Sequence, residues 1–127
     1  MNKEQEQIID EAYENYKKEI IRQREIQKEE VNRLRSQGKR VKVSLIELLS
    51  KETFINRCKT NPEFSEKWGL KIEERELRYE ERIKLYEEKT NLSTTYILSV
   101  KETLDKHNIP TKLITITYNN ETIESYE

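Results

Sequence analysis

Cysteine occurs once, at position 58, histidine once, at position 107, and glycine and proline twice each. One cysteine excludes an internal disulfide. Cys58 and His107 together fall short of the roughly four soft or imidazole ligands of a structural zinc site. With so little glycine there is no phosphate-cradling loop, and neither a G-x-S-x-G elbow nor an H-E-x-x-H helix occurs. No stretch approaches the ~18 consecutive apolar residues that span a bilayer, and no signal-peptide pattern opens the chain. These absences lead us to expect an intracellular, cytoplasmic chain without cofactor, metal or small-molecule substrate, and they leave a nuclear or virion setting open. Alanine appears once while Lys, Glu, Ile and Asn abound, as in the products of AT-rich genomes.

What is present is charge and helix. Charged residues make up 39% of the chain and hydrophobic ones 33%, against roughly 25% and 45–50% in ordinary globular domains. The core must be thin and the shape elongated. A net charge of −1 separates the chain from disordered sequences, which combine low hydrophobicity with high net charge. From Asn2 to Gln37 there is neither Pro nor Gly; Asn2 and Gln5 form a capping box and Gly38 supplies the stop. At ~1.5 Å per residue this rod runs roughly 50 Å, too long to bury itself on a small domain. Ile9, Tyr13, Tyr16, Ile20, Val31 and Leu34 mark one stripe, with Ile21 and Ile26 off it. Charge is split along the rod. Residues 1–21 set Lys3, Lys17 and Lys18 against Glu4, Glu6, Asp10, Glu11, Glu14 and Glu19, a balance of −3. Residues 22–42 set Arg22, Arg24, Lys28, Arg33, Arg35, Lys39, Arg40 and Lys42 against Glu25, Glu29 and Glu30, a balance of +5.

Beyond Gly38, Val41, Val43 and Leu45 alternate with polar residues, which predicts a short strand near Lys39–Val43; a Ser44-x-x-Glu47 capping box offers a helix through Leu49 instead. Short helices follow around Phe54–Lys59 and, with Asn61 as cap and Pro62 at the first position, around Phe64–Trp68 up to Gly69. Ile72, Tyr79 and Tyr86 repeat at seven, predicting a second long helix over 71–89. A third helix is expected from Leu92 to His107, with Tyr96, Ile97, Val100 and Leu104 on its face and Asn108 and Pro110 ending it. Ile114, Ile116 and Tyr118 alternate with threonines before Asn119-Asn120, a hairpin returning through Glu121–Tyr126. Two strands alone are marginal, so the hairpin needs a helix or a third strand.

Little here carries chemistry. A Cys58–His107 nucleophilic pair is formally available, but Cys58 sits in an apolar context where cysteine acts as a small hydrophobe. The adjacent carboxylates Glu73-Glu74, Glu80-Glu81 and Glu87-Glu88 would diverge by ~100° on a helix and share no site. The short helices between Ser44 and Trp68 mimic a helix-turn-helix, yet the second carries Glu63, Glu66 and Lys67 where a basic recognition face belongs.

The sequence therefore reads as an α+β chain, mainly α. A long N-terminal helical arm (1–37) packs on a second long helix, and short connecting helices and a C-terminal β-hairpin complete a small domain (38–127). Lys39–Val43 is the candidate third strand. The function expected is non-catalytic: an assembly, adaptor or structural protein pairing helices in coiled-coil fashion with a protein partner or its own copies, through Ile9, Tyr13, Tyr16 and Ile20. The alternative is a nucleic-acid-associated protein using the basic segment Arg33, Arg35, Lys39, Arg40 and Lys42, whose cations could engage several phosphates.

Overall fold

A computed structural model describes residues 1–94 and 99–127. Helix α1 spans Lys3–Ser36. The capping box at its start forms as the sequence demands: the Asn2 side chain accepts from the Gln5 amide at 2.9 Å, and Gln5 answers toward the Asn2 backbone. Glu4 and Glu6 in the first turn and Arg33 and Arg35 in the last complement the helix dipole. Gly38, at φ +80°, turns the chain back.

Residues 39–50 form neither the strand nor the capped helix expected of them. They run back along α1 as an extended strap held by side chains. Arg24 Nε donates to the Ile46 carbonyl at 2.6 Å, and Gln27 Oε1 accepts from the Ile46 amide at 3.1 Å. Farther down, the Tyr16 hydroxyl accepts from the Leu49 amide and the Tyr13 hydroxyl donates to the Leu49 carbonyl. Two tyrosines one turn apart thus satisfy both backbone groups of one residue, as a strand would.

Helices α2 (Lys51–Thr60, capped by Ser50) and α3 (Pro62–Trp68, capped by Asn61) follow, and Gly69 at φ +68° ends α3. The second long helix expected over 71–89 is instead strand β1 (Leu70–Glu76) and helix α4 (Tyr79–Thr90). Leu70 and Ile72 alternate into the core, and β1 pairs along its whole length with β2 (Lys112–Tyr118). Tertiary pairing overrides the helical preference of its glutamates. The third helix is shorter than expected: α5 covers Val100–Lys106, Leu92 is exposed past the Asn91 cap, and Tyr96 and Ile97 lie outside the described residues.

The hairpin forms as read, β2 pairing with β3 (Glu121–Tyr126) across Asn119 and Asn120, both at positive φ. Its third strand is β1, giving an antiparallel sheet in the order β1-β2-β3. Leu70, Ile72, Ile114 and Ile116 bury one sheet face in a core with Ile8, Ile9, Ala12, Tyr16 and Ile20 of α1 and Phe54 and Cys58 of α2. The opposite face, with Lys71, Glu73 and Thr115, is charged and threonine-rich. A smaller cluster of Tyr86, Leu104 and Ile109 joins α4 to α5. Arg82 ties it together, donating to the Pro110 and Ile109 carbonyls and to Asp105, each at 3.1 Å.

Candidate interaction surfaces

The stripe read as a partner-contact face is the chain's own core. Ile9, Tyr16 and Ile20 are buried. Tyr16 stacks on Phe54 at 4.7 Å between centroids and meets Trp68 edge-on at 4.8 Å; Tyr13, half-buried, lies 5.6 Å from Phe54. The physical reason is aromatic mass: α2 and α3 bring Phe54, Phe64 and Trp68 to that face, and such rings bury large areas wherever they meet. Helix spacing identifies an apolar face without saying what covers it.

Burial along α1 stops at Ile20, yet the helix continues to Ser36, a further ~24 Å. This distal half and its strap carry half of the chain's large exposed apolar side chains among the described residues: Ile21 (42% exposed), Ile26 (50%), Val43 (41%) and Leu45 (39%). A groove of about 330 Å³ runs between helix and strap, lined by Lys28, Val31, Asn32, Arg35, Val43 and Leu45. Its floor is aliphatic and both of its charged side chains are cations.

The basic segment is dispersed. Arg33 is held by Glu30, whose carboxyl it pushes below the usual range. Arg35 stands on the helix beside the groove, while Lys39, Arg40 and Lys42 are exposed on the turn and strap. Because no ladder forms at 39–43, Arg40 and Lys42 do not share a strand face.

The remaining chemical candidates hold the fold. Cys58 is in the main core, and burial pushes its thiol up to about 11. His107 caps α5 in the other cluster, edge-on to Tyr86 at 5.1 Å. Glu73 and Glu74 point to opposite faces of β1 and pair with Lys71 and Lys59. Glu81 accepts two hydrogen bonds from Arg75, at 2.8 and 2.9 Å, and these hold its carboxyl down to about 2. Among the described residues no three His, Cys, Asp or Glu side chains are grouped to hold a metal, and no helix is long and apolar enough to cross a membrane. The chain matches no protein-family model, no curated protein and no solved structure.

Proposed function

We propose that this protein is a non-catalytic assembly or adaptor protein whose working surface is the distal half of α1 with the strap packed along it. The observation that carries the reading is the continuation of α1 beyond the last residue its own core buries, with Ile21 left exposed on that continuation and Val43 and Leu45 on the strap beside it. Exposed aliphatic side chains on a projecting element mark a contact site. The groove suits a protein, because phosphates gain nothing from an aliphatic floor, whereas a helix with carboxylates beside its apolar residues satisfies both floor and rim.

A photo-reactive amino acid in place of Val43 tests this in cells. The reading expects a discrete protein adduct from position 43 and none from Lys71 on the exposed sheet face. Equal labelling from both positions, or adducts to nucleic acid alone, would remove it.

A second reading rests on Lys39, Arg40 and Lys42, which are exposed and outside every ion pair among the described residues. If they bind phosphates, affinity for a DNA or RNA oligonucleotide falls steeply with salt. Apolar helix pairing holds or strengthens instead. Binding unchanged in a Lys39→Ala/Arg40→Ala/Lys42→Ala variant at low salt dismisses this second reading.

A further inference from the structure

One face of α1 stays exposed along the helix, flanked by the strap only at Lys28 and Arg35. Gln7, Glu14, Ile21, Lys28 and Arg35 recur at intervals of seven, so they drift by only ~20° per step and form one line. All five are exposed, while the strap and core occupy the face of Tyr16, Ile20, Arg24 and Gln27. Ile21 is the only apolar residue on this line.

The charges around Ile21 are arranged with a symmetry the monomer does not use. Glu14 and Lys28 lie seven residues to either side; Lys18 and Glu25 lie three and four residues away. None of the four belongs to an ion pair among the described residues, although neighbours off this face do: Glu19 with Arg22 and Glu30 with Arg33. Turning α1 end for end about Ile21 exchanges Glu14 with Lys28 and brings Lys18 to within one residue, about 1.5 Å of rise, of Glu25.

We infer that the occupant of this face is a second copy of the chain, its α1 antiparallel to the first and crossing it at Ile21 on a two-fold axis. This rests on the assembly reading above and names its partner. Ile21 meets Ile21 of the second copy. Glu14 meets Lys28 of the second copy, Lys18 meets Glu25 of the second copy, and symmetry makes each contact twice, as a self-complementary interface requires. The charge split along the helix supports the same direction: residues 1–21, at −3, lie over residues 22–36 of the other copy, where five cations against three glutamates leave +2. A parallel pair would set like charge against like. The second α1 also passes beside Lys28 and Arg35, over the groove, and covers Val43 and Leu45, which supply the apolar area that Ile21 alone lacks.

The test joins disulfide trapping to charge reversal, in the full-length chain with Cys58→Ser. Ile21→Cys should oxidise to a covalent dimer, because position 21 meets itself. Glu29→Cys should not, since antiparallel pairing sets its two copies roughly 24 Å apart along the axis. By sedimentation equilibrium, Glu14→Lys alone and Lys28→Glu alone should each weaken dimerisation about 1.4- to fivefold per pair lost. The double reversal should restore it to within about threefold. Circular dichroism checks that each variant folds. Equal trapping at 21 and 29, or single reversals without effect on the mass, would overturn the pairing. If those fail while position 43 still yields a discrete adduct with a different protein, the self-pairing is wrong and the assembly reading survives.

Discussion

Gln5 fastens α1 to the hairpin more than a hundred residues away in sequence, and removing it measures how strongly. Its side chain is fully buried. The amide donates to the carbonyls of Ile114 at 3.0 Å on β2 and Ile123 at 2.9 Å on β3, and Oε1 accepts from Ser125 Oγ at 2.7 Å. Gln5→Ala deletes two donors and one acceptor at a site closed to water. Each buried polar group left unpaired costs about 1–3 kcal/mol. Partial relaxation and some water entry bring the expected total to about 3 kcal/mol. With a urea m-value of about 2 kcal/mol per M, the denaturation midpoint should fall by about 1.5 M. Gln5→Glu adds a signature that cavity loss cannot mimic. At pH 7 it faces two carbonyls with a carboxylate that has nothing to donate, so its folded-state pKa rises. Part of the stability should return as pH falls through that raised value and the acid regains a donor. Midpoints followed by circular dichroism from pH 7 to 4 check both variants. A Gln5→Ala midpoint within about 0.2 M of the parent would refute the reasoning, as would a Gln5→Glu variant whose deficit does not shrink in acid.

Three further outcomes follow from the same geometry. Tyr16→Phe leaves the Leu49 amide without its acceptor and should cost about 1–2 kcal/mol in urea denaturation. The Glu81 carboxyl is held at about 2 by Arg75, so its contribution is present above the ordinary carboxylate range. That contribution is lost as pH falls from about 4.5 toward 2; thermal melts should decline over this window, less steeply in Arg75→Ala. The Cys58 thiol, pushed up to about 11 by burial, should react with iodoacetamide at pH 8 far more slowly in the folded chain than in urea. Equal rates in the two states would mean that the α2 core opens readily.

The elements legible in the sequence were those fixed by local signals. The Asn2–Gln5 box and Gly38 set both ends of α1 to within two residues, and paired asparagines at positive φ set the hairpin. What escaped depends on partners distant in sequence. Leu70–Glu76 is built largely of helix-forming residues, and the seven-residue step from Ile72 to Tyr79 imitates a helix; only pairing with Lys112–Tyr118 makes it a strand. Gly69 and the alternation of Leu70 with Ile72 were the available clues. Val41, Val43 and Leu45 alternate as a strand would, but their segment is held by side chains of α1. The apolar stripe of Ile9, Tyr13, Tyr16 and Ile20 was visible, whereas its cover of Phe54 and Trp68 was not. Consequently the apolar side chains left exposed on α1, Ile21 and Ile26, are the ones that fall off that stripe.

The mass of the parent chain in solution, by light scattering on a sizing column over a concentration series, tests the account most directly. Pairing of two copies through Ile21 predicts a rise with concentration from the 15.4 kDa monomer toward twice that value, abolished by Ile21→Glu without loss of helical signal. A mass that stays at the monomer value at every concentration, or a dimer indifferent to Ile21→Glu, would contradict it.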